Sequence, residues 1–116
     1  MDARYERQLK RGLLEIIVLK LLAQERAYGY QLLQTLDRES GGLFRIKEGT
    51  LYPILYRLED DGLAVSEWSV PEDKSVAKKY YRCTPAGEAA LAELLDLWRR
   101  FDDAANHFLN CEEEQS

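Results

Sequence analysis

The residues best suited to binding chemistry lie in one stretch, EGTLYPILYRLEDDGL, at positions 48–63. On a helix of about 3.6 residues per turn, its aliphatic residues fall on one face, at the spacing of a helix packed against a core. The opposite face is unusual, because tyrosines, a proline and an arginine replace the common glutamate and lysine. Such a face can press against a flat, anionic partner such as DNA. Its residues are Tyr52, Pro53, Tyr56, Arg57 and Asp60.

Each outward side chain also has an ordinary structural interpretation. Tyr52 and Tyr56, one helical turn apart, either shield a crevice or contact DNA, with Tyr52 at a phosphate or base edge and Tyr56 on a sugar. Arg57 suits a phosphate or a guanine, but it can equally pair with Asp60 or Asp61 on its own helix. These alternatives remain open at the level of sequence.

The start of this helix decides which side chains point outward first. The helix begins at either Glu48 or Thr50. If Thr50 is the N-cap, Pro53 falls in the first turn, where its missing N–H costs least. The Thr50 hydroxyl can also bond a phosphate, and Lys47 either meets a phosphate or is solvated.

The charge of the chain is unevenly distributed. The net charge of −5 argues at first against a nucleic-acid partner. Residues 1–82, however, carry 14 basic and 13 acidic residues, whereas residues 83–116 carry 2 and 8. Because the acidity lies at the C-terminal end, the rest of the chain can still present local positive patches.

Length and composition limit the remaining classes. A chain of 116 residues forms one domain, and it contains no apolar run of the roughly 18 residues that a membrane span needs. The charged start does not resemble a signal peptide. Cys83 and Cys111 form no CxxC, which favours reduced thiols in a cytoplasmic protein. We expect His107 at the surface, and no metal site, cofactor site or catalytic group.

The first helix, at about residues 6–25, contains LLEIIVLKLLA, which is apolar except for Glu15 and Lys20. More than one of its faces must therefore be covered, by the core or by another subunit. A loose basic cluster precedes this run and is either a solvated helix start or an arm near phosphates. The cluster consists of Arg4, Arg7, Lys10 and Arg11.

The order of the next elements predicts a helix-turn-helix followed by a hairpin. A second helix follows Tyr28-Gly29-Tyr30, and Gly41-Gly42 ends it with a left-handed cap. Stretch 48–63 is then the third helix. Residues 63–69 and 78–84 are rich in β-branched and aromatic residues and form two antiparallel strands, a wing. Lys78 and Lys79 on the wing are candidate phosphate or minor-groove contacts, of which only one points fully outward.

The last helix predicts dimerisation. Thr84 caps its start with Pro85 at the first position, and it runs to about Asn110. Its apolar residues are spaced 3 or 4 apart over nearly three heptads, and little chain remains to cover them. The expected dimer interface combines Leu91, Leu94, Trp98, Phe101, Ala105 and Phe108 with Leu14 and Ile17 of the first helix.

Three stretches of this chain resemble the PadR family of winged-helix transcriptional regulators, in its short subfamily with a single C-terminal helix. They are AYGYQLLQTL, EGTLYPILYRLEDDGL with Trp68 after it, and KKYYRCTPAGEAAL, and together they span most of residues 12–92. The family is bacterial and dimeric and binds operator DNA, usually as a repressor. The resemblance therefore implies sequence-specific DNA binding by a homodimer that a small effector releases.

The resemblance also implies two sites. The predicted DNA-binding residues are Lys47, Thr50, Tyr52, Pro53, Tyr56, Arg57, Lys78 and Lys79. Some relatives place an aromatic residue at the position of Trp98 to stack a planar or aromatic ligand at the dimer interface, while the alternative for Trp98 is plain dimer core. The residues that would line such an effector pocket are Leu14, Val18, Trp98, Phe101 and Asp102.

The sequence thus predicts a mainly α fold with a small β-hairpin: a winged helix-turn-helix plus a long C-terminal dimerisation helix. Residues 1–84 form the DNA-binding part, 85–110 the dimerisation helix and 111–116 a flexible acidic tail. The predicted function is that of a cytoplasmic, bacterial regulator and not of an enzyme. The alternative is a winged-helix module that binds a protein through its tyrosine face, which the balance of eight basic and eight acidic residues across 38–82 favours.

Overall fold

The computed structural model describes residues 3–70 and 72–110, and over these ranges the chain forms four helices and three strands. The predicted acidic tail, 111–116, lies outside the described residues. No helix in the described ranges is both long enough and apolar enough to cross a membrane. The elements are α1 (Ala3–Gln24), β1 (Ala27–Tyr28), α2 (Gly29–Glu39), α3 (Glu48–Asp60), β2 (Ala64–Ser69), β3 (Lys78–Cys83) and α4 (Pro85–Leu109).

Helix α1 is central to the fold. Its apolar run buries Leu14, Val18, Leu19 and Leu22, and it packs against α3, α4 and β3. Burying several faces of one helix explains why the run is apolar at nearly every position. The first of the two predicted ways of covering this helix, by the core of its own subunit, therefore holds for these four residues.

A pair of glycines ends the first helix of the predicted helix-turn-helix. After α2, the amides of Gly41 and Gly42 donate to the carbonyls of Arg38 (3.4 Å) and Asp37 (2.8 Å), which is the hydrogen-bond pattern of a Schellman cap. Both glycines have positive φ angles, 62° and 88°. Residues that carry a side chain rarely adopt this backbone conformation. The predicted left-handed cap at this position is confirmed.

The start of α3 corrects one interpretation. The helix begins at Glu48 with Lys47 as its N-cap, and no side chain caps it. Thr50 is therefore inside the first turn and not the N-cap, and its amide bonds the Lys47 carbonyl at 3.0 Å. Pro53 consequently lies in the second turn. Because proline has no N–H, the carbonyl of Gly49 lacks its usual helical donor.

The sheet has one strand more than predicted. Strands β2 and β3 form the expected antiparallel hairpin, with Trp68 opposite Lys79; we call residues 64–83 the wing. The additional strand, β1, has two residues and pairs with β3 through Ala27–Tyr81 and Tyr28–Tyr80. The strand order is β1-β3-β2, so β3 is central and anchors the wing to the helices.

Helix α4 starts as predicted and then leaves the core. The Thr84 hydroxyl accepts a hydrogen bond from the Gly87 amide at 3.0 Å and donates one to the Gly62 carbonyl at 2.7 Å. Gly87 and Leu91 are buried. At about 1.5 Å per residue, the 25-residue helix is roughly 37 Å long, and its later turns extend beyond the residues that cover its start.

The close approach at Gly87 generates a stability prediction. A Cβ atom there would overlap the backbone carbonyl of Leu63 and lie 2.6 Å from Cys83 Sγ, and backbone cannot move aside cheaply. We expect Gly87→Ala to lower the free energy of unfolding by about 1–3 kcal/mol. In contrast, a Cβ on Gly12 of α1 meets nothing within 4 Å, so Gly12→Ala should raise it by about 0.5–1 kcal/mol. Urea unfolding at one protein concentration measures the free energy of unfolding of both variants. Equal changes in the two variants would contradict the packing described for Gly87.

Candidate nucleic-acid interface

Helix α3 buries one face and exposes the other, as its sequence predicts. Leu51, Ile54, Leu55 and Leu58 are buried. Burial of this stripe fixes the rotation of the helix about its axis. The opposite face therefore presents its polar and aromatic side chains away from the core, and Thr50, Pro53, Tyr56 and Arg57 are exposed there.

The two tyrosines of this face differ in environment. Tyr52 is half-buried and packs against the core, with its ring lying so close to Gly29 that a Cβ there would be 2.8 Å from the Tyr52 Cζ atom. Tyr56 is half exposed, and its ring centre lies 5.9 Å from that of Tyr52. Tyr52 thus covers the junction of α2 and α3, whereas Tyr56 offers its ring to a partner.

Arg57 has a partner that the sequence did not indicate. Its guanidinium donates to Glu15 of α1, with Nε 2.9 Å from Oε1 and a second bond from Nη2 to the same oxygen. The ion-pair alternative considered for Arg57 named Asp60 or Asp61, but the acid lies 42 residues away. The one available signal was Glu15 itself, the single acid in the mostly apolar run of the first helix.

The two wing lysines lie on opposite faces of the sheet. Lys79 is half-buried on the α3 side, where its Nζ atom lies 6.0 Å from the Tyr56 ring centre and 5.5 Å from that of Tyr81. Lys78 is half-buried on the other side, 5.5 Å from the Tyr28 ring centre. Lys79 therefore joins the α3 face, and the structure does not bring Lys78 to it.

Sequence reasoning missed Trp68 as a site residue. Trp68 lies opposite Lys79 in the β2–β3 pairing, so both share the α3 side of the sheet. Its side chain is 70% exposed, which is unusual for the largest apolar side chain. Strand alternation could have placed it beside Lys79, and it extends the aromatic surface from Tyr56 onto the wing.

The predicted DNA-binding residues therefore form two groups. Tyr52, Tyr56 and Lys79 lie where α3 meets the wing. The others, except Lys78, line a groove of about 940 Å³ between α1 and α3, which we call the α1–α3 groove. The second group consists of Lys47, Thr50, Pro53 and Arg57.

Two titratable groups on the α3 side of the sheet, Tyr81 and Cys83, stay neutral. Burial raises the pKa of the Tyr81 phenol, and the phenol has no hydrogen-bond partner among the described residues. Burial, and then the charge of Glu88, raises the pKa of the Cys83 thiol. Both groups are therefore uncharged at neutral pH. No cluster of three potential metal ligands occurs in the described part of the chain.

The residues predicted to form the dimer interface fall into a covered set and an exposed set, because α4 leaves the core after its first turns. Leu14 and Leu91 are buried within their own subunit, and Ile17 and Leu94 are half-buried. Val18, predicted to line an effector pocket, is fully buried among core residues and offers a ligand no surface, so its assignment needs correction. The exposed members of the predicted interface are Trp98, Phe101, Ala105 and Phe108, and Asp102 of the predicted effector pocket is exposed as well.

Comparison with known proteins gives one consistent match. The model of the "Transcriptional regulator PadR-like family" matches residues 18–93. A curated relative, the transcriptional regulator Rv3488 of Mycobacterium tuberculosis, is 42% identical over 87 residues, which cover 75% of this chain and 77% of the relative. The matched region contains α2, α3 and the wing.

Solved structures agree with this match. The crystal structure of a PadR family transcriptional regulator from Eggerthella lenta superposes with a TM-score of 0.80 at 36% identity and covers 92% of this chain and 90% of its own. A PadR-like regulator from Bacillus cereus gives a TM-score of 0.77 at 29% identity, with 88% and 96% covered. The predicted winged-helix fold is thereby confirmed.

The Arg57–Glu15 pair generates a testable energetic prediction. Its side chains are 57% and 41% exposed, so solvent screens the pair, and we expect a coupling of about 0.2–1 kcal/mol. A double-mutant cycle with Glu15→Gln and Arg57→Ala, followed by urea unfolding, measures it. A matched cycle of Glu25→Gln with Arg57→Ala should show no coupling, and zero coupling in both cycles would contradict the pair.

Proposed function

This chain belongs to the PadR-like family of transcriptional regulators, and from that premise we propose that it binds operator DNA as a homodimer in the bacterial cytoplasm. Family membership places it among regulators and not among enzymes. The single observation that carries the proposal is the exposed α3 face bordered by the wing. Tyr56, Lys79 and Trp68 lie on the wing side of this face and combine aromatic surface with positive charge, and Arg57 borders it on the side of the α1–α3 groove.

In the proposed complex, α3 enters the major groove with its N-terminal turns leading. Thr50 and Pro53 would approach the bases first, and Arg57 would reach a phosphate or a guanine. Lys79 and Trp68 would meet the backbone beside the groove. In a two-fold symmetric dimer the half-sites would lie about 34–36 Å apart.

The exposed part of α4 supports the proposed dimer. Trp98 and Phe101 are 40% and 64% exposed in the single chain, and Phe108 is 73% exposed. They recur at the 3-and-4 spacing of a helix–helix seam, and a single subunit leaves this apolar surface in water. A second copy that packs on these turns would cover it. Residues 1–84 would then read DNA, and 85–110 would hold the dimer.

We propose further that this is a repressor released by a small planar effector at the dimer interface. Trp98, Phe101 and Asp102 remain exposed and can still meet such a ligand. An effector there can change DNA affinity only if it binds two arrangements of the subunits differently. Since Val18 is enclosed, the pocket would be formed from α4 of both subunits and the accessible part of α1.

A second candidate is binding to a protein through the same aromatic face. The observation that favours it is charge neutralisation, since Arg57 is already paired and residues 38–82 carry eight basic and eight acidic residues. A protein partner would bind with weak dependence on salt, whereas a DNA-binding protein releases counterions and depends on salt steeply.

The DNA proposal is tested with the duplex upstream of the gene for this chain. At six to ten phosphate contacts, affinity should fall by about 10³- to 10⁵-fold between 50 and 200 mM salt. Tyr56→Ala with Arg57→Ala should abolish specific binding and preserve the dimer. Tyr52 is left intact because its ring packs on Gly29.

The control for this experiment is Lys20→Ala, which removes an exposed cation of α1 that does not line the α1–α3 groove. Its operator binding should equal that of the unaltered chain. If no promoter fragment is shifted specifically at low salt, DNA binding is refuted and the protein-binding candidate takes its place.

The dimer proposal is tested by sedimentation of Trp98→Asp with Phe101→Asp. Two carboxylates on the exposed turns of α4 should make the protein monomeric, because burying them against a partner costs several kcal/mol. The matched control is Leu43→Asp with Val76→Asp, at residues 60% and 78% exposed on other elements, which should remain dimeric. A dimeric α4 variant would place the interface elsewhere.

A further inference from the structure

The first turns of α1 present a stripe of arginines beside α3. Arg4, Arg7 and Arg11 are spaced three and four residues apart, so they fall on one helical face, and all three line the α1–α3 groove. Glu15, one turn further, ends the stripe where it holds Arg57. The groove therefore runs along α1 directly into the face of α3.

The lining of this groove has one sign of charge. Seven of its lining residues are basic and none is acidic; they are Arg4, Arg7, Lys10, Arg11, Arg45, Lys47 and Arg57. Concentrating cations on both sides of one groove raises the local potential well above what the net charge of the chain suggests.

Some of these cations already have an internal counter-charge. Arg57 pairs with Glu15, Arg45 pairs with Asp37 at 3.1 Å, and Lys10 lies 3.7 Å from Glu6. In contrast, Arg7, Arg11 and Lys47 have no ion-pair partner among residues 3–70 and 72–110. Their charges are therefore available to an external anion, and no internal ion pair has to be broken before that anion binds.

We propose that this groove is a second phosphate-binding surface, in which Arg7 and Arg11 of α1 contact the DNA backbone beside the half-site that α3 reads. The proposal rests on the proposed function and extends it to an element outside the helix-turn-helix and the wing. The groove includes Lys47 and Thr50, the N-cap and first turn of α3. DNA positioned to receive this end of α3 must carry its phosphates past the same groove.

A second copy of the chain is the competing occupant, because residues 83–116 carry eight acidic and two basic residues. An acidic helix lying in the groove would cover Lys47 and Thr50, however, and would block the end of α3 that leads into DNA. Geometry therefore favours a duplex, whose backbone can follow the groove while α3 enters beside it.

The test compares two double variants of equal charge. Arg7→Ala with Arg11→Ala removes two unpaired groove cations, and Lys20→Ala with Arg82→Ala removes two exposed cations outside the groove. Each phosphate contact contributes about 0.9 to the slope of log K against log salt. A dimer that loses four such contacts should therefore show a slope shallower by up to about 3.6 and weaker binding to operator and unrelated duplexes alike. The control should keep the slope of the unaltered chain.

Circular dichroism and sedimentation check that both variants are folded and dimeric. A groove variant with the slope and affinity of the control overturns the proposal. A weaker dimer with an unchanged slope also overturns it and assigns the groove to the partner subunit. Both results leave the proposed function intact, whereas failure of the unaltered chain to bind any duplex overturns both proposals.

Discussion

The burial of one aliphatic stripe of α3 in the shared core of α1, α2 and the sheet is the constraint on which the candidate interface depends. Leu51 and Leu55 are fully buried, as are Val18 and Leu19 of α1. Because a helix has a fixed period of about 3.6 residues, enclosing this stripe leaves the rotation of α3 no freedom. The burial of the stripe therefore sets the direction in which every outward side chain of α3 points. The interface is as rigid as the core that supports it.

The Arg57–Glu15 pair shows how this rigid face can carry a cation ready for a partner. A free arginine side chain loses much rotamer entropy when it binds, but the carboxylate already holds the guanidinium across the α1–α3 junction. Exposed pairs contribute only about 0–1 kcal/mol, so exchanging the carboxylate for a phosphate costs little. A charge-assisted bond to phosphate can exceed that cost. Glu15 therefore orients Arg57 without immobilising it.

Features encoded within a few residues could be predicted from the sequence. The α3 stripe, the Gly41-Gly42 cap and the Thr84 cap each depend on neighbours within about one helical turn. The missed features depend on distant pairing. Strand β1 has two residues and exists only because β3 lies beside it, and Arg57 meets its acid 42 residues away. The prediction of Thr50 as the N-cap was wrong for a different reason. Lys47 already has the extended backbone of an N-cap, and the helix starts before the threonine.

The net negative charge of the chain does not oppose a nucleic-acid partner, because charge acts locally in salt solution. At physiological ionic strength exposed charges are screened beyond about 8 Å, whereas this chain is 64 Å long in its largest dimension. The groove beside α3 is lined by cations, and the surplus of acids lies in α4 and the tail that follows it. A charge sum over the sequence therefore averages two surfaces of opposite charge, the groove and the later turns of α4. The fold separates them, and α3 faces the positive one.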